Sequence, residues 1–481
     1  MHPTGLKSFI LMPQVWFLLL LFHAWGCKPK MEDEWPAPTP VFPVQVWTTS
    51  GNGVNLLYGK TIDFAEGKDD RLSTIQIDTT QRFQTVEGFG YTLTGGSAQL
   101  LHLMGAAERN LILKEMFGNA SQGNAVSYLR ISLGASDLDP EVFSYNDLPS
   151  GQTDPELLKF NLSRDTLHLI PVLKEILAIN PKITLMASPW SPPKWMKTNN
   201  SSVGGNLKPE YYSVYARYFV KYIQAMSAQG IKIQAVTPQN EPQHGGNNPS
   251  LVMSFLQQAD FIKNHLGPAF QQAGLDTKII IWDHNCDNAA YPIAILDDPA
   301  AKPFVHGSAF HLYAGDVSAL TEVHNAHPDK GLYFTEQWTG ANSQFDDDLK
   351  WHMKNVIIGT MRNWSRVVLE WNLANDPNYE PHTPGGCSQC KGALTIDGSK
   401  VNKNVSYYIV AQASRFVPPG SVRVFSNLLT ELPNVAFLTP EGKYVLIVLN
   451  ESSQLKTFNI QAGGRWITGS LYGDTVATFV W

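Results

Sequence analysis

Ile231–Pro242 reads IKIQAVTPQNEP, an apolar, strand-like run that ends on an amide, a carboxylate and two flanking prolines. A second run, KGLYFTEQ from Lys330, ends on Glu336 in the same manner. About 95 residues separate Glu241 from Glu336, close to what three further strand-helix units need at ~30 residues per parallel crossover. Six more runs of this kind complete a series of eight: VEGFGYTLT from Val86, VSYLRISLG from Val126, ITLMASPW from Ile183, TKIIIWDHN from Thr277, PFVHGSAFHLY from Pro303 and SRVVLEWNL from Ser365. Between most of them the apolar residues recur every three or four positions, as in Thr166–Ile179 and Tyr212–Ala228, which predicts helices. Eight alternations predict an α/β fold, a closed (β/α)8 TIM barrel spanning residues 85–400.

The flanks differ. From Val401 to residue 481 short β pieces such as SVRVFS, NVAFLT, KYVLIVLN and KTFNIQ are separated by turn signals, which predicts an all-β sandwich. The strands expected in residues 45–84, including VQVWTTS and STIQID, precede the barrel and would otherwise leave open edges, so they are expected to join the same sandwich.

The N-terminus reads as an export signal over residues 1–27. Lys7 supplies the positive charge, Phe9–Phe22 the apolar stretch, and Ala24, Trp25 and Gly26 lead to Cys27. Small residues before a cysteine resemble a bacterial lipobox, so Cys27 is the expected acylation site. The acidic run Glu32–Glu34 agrees with surface export, and residues 28–44, rich in proline, form an extended linker. The expected location is the bacterial outer membrane through that anchor, or otherwise the medium. A net charge of -6 argues against nucleic acid as a partner, and 13 Trp among few charged residues (16 %) suit sugar faces as well as a core. Cys387 and Cys390 stand in a glycine-rich loop without the second pair that zinc would need, so in an oxidising compartment they are expected to form a local disulfide, leaving Cys286 as a free thiol.

In such barrels the reacting groups stand at the C-terminal ends of strands. The run ends supply Arg130 and Asp137, Trp190, Asn240 and Glu241, Asp283 and His284, His311 and Tyr313, Glu336, and Trp371 and Asn372. Each has a plainer reading: Arg130 as a buried ion pair, Trp190 and Trp371 as core plugs, His311 as a structural histidine. Together they predict a polar sugar pocket in which Glu241 and Glu336, on strands four and seven, face each other.

The segments EGFGYTLT, RISLGASDLD, SPWSPPKWMKTN, TPQNEP, FTEQWTG, WNLA and SRFVPPGSVRV, running from Glu87 towards the C-terminus, resemble those of the glucosylceramidases, glycoside hydrolase family 30. The resemblance implies a retaining glycosidase without metal or cofactor, with Glu241 as acid/base and Glu336 as nucleophile. It also implies that Asp137, Trp190, Asn240 and Trp371 line the site for the terminal glucose, with Arg130 close to the nucleophile; His311 and Tyr313 join as strand-end residues. Two departures, Gly95-Gly96 after Thr94 and the polar QHGGNNPS after TPQNEP, are more similar to the bacterial members acting on β-1,6-glucans. The expected substrate is a carbohydrate or glycolipid, either β-1,6-glucan or a glucosylceramide-like glucoside. A catalytically dead glycan-capturing barrel, and a retaining xylanase or fucosidase on the same scaffold, stand as alternatives.

Overall fold

A computed structural model describes residues 43–481. Expectations for the signal segment, for Cys27 and for nearly all of the linker lie outside the described residues. The eight apolar runs become the strands Gly88–Leu93, Tyr128–Ser132, Thr184–Ser188, Ala235–Val236, Lys278–Cys286, Val305–Gly315, Gly331–Glu336 and Ser365–Asn372, referred to below as strands one to eight. Each pairs in parallel with the next, and strand eight closes on strand one through Val367 opposite Gly88. Strand four is the shortest, yet its backbone contacts run further: Gln234 N–H donates to Leu185 O and Thr237 N–H to Ala187 O. Helix Tyr212–Ala228 has the expected bounds. Leu169–Ile179 begins after a series of turns in which buried Asp165 accepts the Tyr145 hydroxyl at 2.6 Å.

Inside the barrel, Tyr128, Met186, Ala235, Ile280, Ala309, Tyr333, Val367 and Leu369 form an apolar plug. Side chains two positions apart on a strand share a face. One step above the plug, the same faces therefore carry Arg130, Ser188, Thr237, His311, Thr335 and Trp371. Strand five breaks the alternation. Trp282 and Asp283 adopt φ of 71° and 60°, and the pairing with strand six slips between Trp282 and His284. This bulge turns Trp282 into the outer core against Tyr291 (ring centroids 4.4 Å apart) and lets Asp283 point inward. A similar slip between Phe334 and Glu336 on strand seven sends two consecutive side chains, Thr335 and Glu336, into the same interior.

The barrel does not end at residue 400. Helix Val405–Ser414 is buried along its whole length, and the Tyr91 hydroxyl of strand one donates to Ser406 O at 3.1 Å. This helix is the outer layer behind the closing strands, and its Gln412 amide bonds Thr49 and Thr478 of the neighbouring β domain. That domain hydrogen-bonds nine strands in the order Tyr58–Ile62, Val44–Ser50, Thr475–Val480, Tyr444–Asn450, Asn434–Leu438, Val422–Ser426, Thr74–Thr85, Lys456–Ala462 and Arg465–Leu471, so both flanks of the barrel contribute. Val46, Ile75, Leu446, Phe458 and Phe479 belong to its core. Arg362 ties it to the barrel by donating to Ser426 and Asn434.

Candidate active site

At the C-terminal mouth of the barrel a cavity of ≈ 340 Å³ is lined by Asp137, Trp190, Glu241, His244, Asn247, His284, Asn285, Tyr313, Glu336, Trp338, Trp371 and the Cys387 and Cys390 pair. Arg130 lies at its floor, fully buried, and organises it. One guanidinium N–H donates to Glu336 Oε2 at 2.6 Å; the other terminal nitrogen donates to Asn240 Oδ1 at 2.6 Å and to Asp283 Oδ2 at 2.8 Å, while Nε reaches Ser188 Oγ at 3.1 Å. The same guanidinium lies over the Trp190 ring at 4.8 Å and the Trp371 ring at 5.7 Å. A planar, delocalised cation does both tasks at once.

Glu336 accepts on its other oxygen from the Tyr313 hydroxyl at 3.0 Å. Glu241 sits at a backbone φ of 47°, an unusual conformation for a non-glycine residue, and its Oε1 lies 3.2 Å from His311 Nδ1. His311 is anchored from behind: its Nε2 meets Asp283 Oδ1 at 3.1 Å, and Asp283 is further held by Thr237 Oγ1 at 2.8 Å and Thr335 Oγ1 at 2.7 Å. Asp283 can only accept, so Nε2 carries a proton and Nδ1 faces Glu241.

Burial works against the charge on His311, but Glu336 and the bonds to Asp283 and Glu241 push the imidazole up to about 9. Burial also opposes ionisation of Asp283, yet Arg130 and His311 hold its carboxyl well below the usual range. Against a protonated His311 the two glutamates part: burial raises Glu336 against the opposing His311 and Arg130 charges, whereas the His311 hydrogen bond and charge overcome burial and hold Glu241 low. Transfer of the Nδ1 proton across 3.2 Å to Glu241 Oε1 changes no proton count and makes Glu241 a neutral acid beside a neutral imidazole. The pair thus stores one transferable proton. Asp137 is pushed up to about 7 by burial and by the Glu336 charge, and its Oδ2 accepts the Cys387 N–H at 3.3 Å.

One oxygen each of Glu241 and Glu336, with a nitrogen of His311, lie within 4.8 Å of one another. Among the described residues this is the one group of His, Cys, Asp and Glu that could hold a metal ion. The Arg130 guanidinium 2.6 Å from Glu336 already supplies a positive charge and repels a cation there. Two carboxylates at such a distance instead suit a sugar's anomeric carbon between them.

Of the twelve strand-end residues singled out in the sequence, eleven meet in this one site: Arg130, Asp137, Trp190, Asn240, Glu241, Asp283, His284, His311, Tyr313, Glu336 and Trp371. Asn372 is not in the lining; its Oδ1 accepts the hydroxyls of Thr94 and Ser97 instead. Cys387 and Cys390 are disulfide-bonded at the mouth, and Cys286 is free and buried. Ser188, Thr237 and Thr335 were not singled out; alternation above the plug residues would have found them. His244, Asn247 and Trp338, also in the lining, follow strand ends by two or more residues and carry no local signal, whereas Asn285 lies within strand five and closes the run TKIIIWDHN.

Residues 86–417 match the model of the glycosyl hydrolase family 30 TIM-barrel domain and residues 420–479 that of the family 30 beta sandwich domain. The endo-1,6-beta-D-glucanase of Neurospora crassa is 35% identical over 430 residues, 85% of this chain and 87% of the relative. The lysosomal acid glucosylceramidase of Mus musculus is 29% identical over 408 residues, 79% and 78% of the two chains. A solved endo-beta-1,6-glucanase superposes with a TM-score of 0.86 at 36% identity, covering 91% of this chain and 99% of that one. With two carboxylates facing across a pocket in a barrel that the family model spans from residue 86 to residue 417, the chain belongs to glycosyl hydrolase family 30 and is an O-glycosyl hydrolase.

Proposed function

We propose that the chain is a retaining β-glucosidic hydrolase acting on β-1,6-linked glucan. Glu336 attacks the anomeric carbon as the glycosidic C–O bond breaks, and the departing oxygen takes the proton held by the Glu241–His311 pair. A glucosyl ester on Glu336 results. Glu241, now a carboxylate, takes a proton from water as the water oxygen attacks the same carbon, and Glu336 leaves as carboxylate. The carrying observation is the proximity of the two carboxyl groups, with oxygens within 4.8 Å, which favours double displacement over the wider separation that an interposed water needs.

The preference for glucan over glucosylceramide is supported by a mouth containing His244, Asn247, His284 and Asn285, polar groups that suit sugar hydroxyls better than a lipid chain. It is also supported by 35% identity to the Neurospora crassa glucanase against 29% to the mouse glucosylceramidase. Product analysis on β-1,6-glucan, a β-1,6-linked diglucoside and glucosylceramide tests this reading. Release of glucose or gluco-oligosaccharides from the glucan is expected; turnover of glucosylceramide alone would reverse the assignment, and inactivity on all three would remove it. We also propose that Cys27 is acylated and holds the enzyme at a membrane. Cys27→Ala is then expected to move it from the membrane fraction to the medium.

A further inference from the structure

The rim of the pocket beside Glu241 holds two hydrogen-bond donors that the double displacement does not use. The first is His284. Its Nδ1 accepts the backbone N–H of Gln243 at 3.3 Å, and a backbone N–H can only donate. Nδ1 is therefore unprotonated, the ring proton sits on Nε2, and the imidazole is neutral. Burial, the leading cause, holds this histidine down at about 4, against the Glu241 charge that acts to raise it. The ring is stacked on Trp282 at 5.0 Å between centroids. Its Nε2–H has no partner among the described residues, although His284 lines the cavity.

The second is Asn285. Its Oδ1 accepts the backbone N–H of Tyr313 at 3.1 Å, which fixes which end of the amide is which. Its carbonyl is also tied down, accepting the Trp282 indole N–H at 3.1 Å. The remaining Nδ2 group has no partner among the described residues, and Asn285 also lines the cavity. These two positions stand at the end of the bulged strand five. Elsewhere in the lining, Trp190, Trp371 and Cys390 pack with Leu138 as one apolar cluster.

We propose that His284 Nε2–H and Asn285 Nδ2–H form the acceptor subsite, binding hydroxyl oxygens of the sugar that leaves in the first step or accepts in its reversal. The inference rests on the glycosidase reading above and adds to it the residues that select a sugar leaving group. Two fixed donors beside the acid hold the leaving sugar while Glu241 protonates the bridging oxygen. They also favour a second sugar over water when the glucosyl ester resolves, in which case the acceptor hydroxyl forms the new C–O bond and gives its proton to Glu241. An alkyl or aryl leaving group offers these donors nothing.

The test uses an aryl β-glucoside as donor and methyl β-glucoside as added acceptor, in the wild type, in His284→Phe and in Asn285→Leu. Both replacements keep approximate shape and remove the donor. The ratio of transfer product to free glucose is expected to fall roughly fivefold in each variant, the scale of one lost hydrogen bond. The kcat/KM for a β-1,6-linked diglucoside should fall relative to that for the aryl glucoside by a similar factor. Ratios within twofold of wild type in both variants, with aryl-glucoside turnover persisting, overturn the subsite, as does a wild type that shows no transfer at all. A wild type inert on every glucoside defeats the functional reading instead. Calorimetry with methyl β-glucoside then decides the subsite separately: binding weakened in both variants supports it, and no binding or unweakened binding overturns it.

Discussion

The surroundings of Glu336 and those of Glu241 differ in kind. Glu336 accepts from a guanidinium that never loses its charge and from a phenol. Glu241 faces an imidazole that can take or return a proton, and it stands on a backbone turned to positive φ. The permanent Arg130 cation opposes the burial that raises Glu336, which suits the proposed nucleophile, and a titratable neighbour that can return its proton to Glu241 suits the proposed acid. Two chemically identical side chains are separated in role by what stands next to them.

The largest test of that contrast is Glu336→Ala, expected to lower kcat on every glucoside by ~10^4-fold or more, because no other group can form the ester. Recovery of turnover with added azide, read as a glucosyl azide product, would place the missing nucleophile at this residue. Glu241→Gln should behave otherwise. The loss is expected to be about 10^2- to 10^4-fold on glucan and much smaller for cleavage of an aryl glucoside whose leaving group needs no proton. Equal losses on both substrates in the first step would break the comparison.

A third test concerns the imidazole. His311 is raised from 6.5 to about 9 in the folded protein, so its contribution to stability is fully present below the unfolded value near 6.5 and disappears as pH rises through about 9. The size is on the order of 3 kcal/mol. The melting temperature of the wild type should exceed that of His311→Gln most at pH 6 and by progressively less up to pH 10; a constant difference would show that the raised proton affinity is absent. The smallest effect is expected at the disulfide. Cys387 N–H holds Asp137, so Cys387→Ser with Cys390→Ser should raise KM a fewfold with kcat largely kept, and unchanged KM would separate the loop from the glucose site.

Much of this arrangement is legible before folding. The eight strand runs, their order, and the residues at their ends follow from local chemistry, because a strand between helices must be apolar and must stop where polar groups begin. Glu241 and Glu336 fall at two of those stops. Asp283 illustrates the limit: simple alternation from Ile280 would aim Trp282 into the barrel, and the bulge that reverses this is a property of pairing between strands five and six. The extent of the barrel near residue 400 is less legible, because Val405–Ser414 mixes Ser406, Gln412 and Ser414 with apolar residues, is buried on every side, and is recognisable as a barrel helix only from the two layers that bury it.

By itself the sequence determined the barrel, the participation of both flanking segments in β structure and the identity of the paired carboxylates, all of which are written in short-range patterns. The tertiary structure decided which neighbours those carboxylates have. Arg130, Asp283 and His311 come from strands two, five and six, and the protonation of each depends on distances of about 3 Å between residues far apart in the chain. The same holds for the donors of His284 and Asn285, whose free atoms are defined by what their other atoms already bind. Composition along a chain can specify where a strand ends, but the charge and hydrogen-bonding capacity of a buried group are set by its contacts.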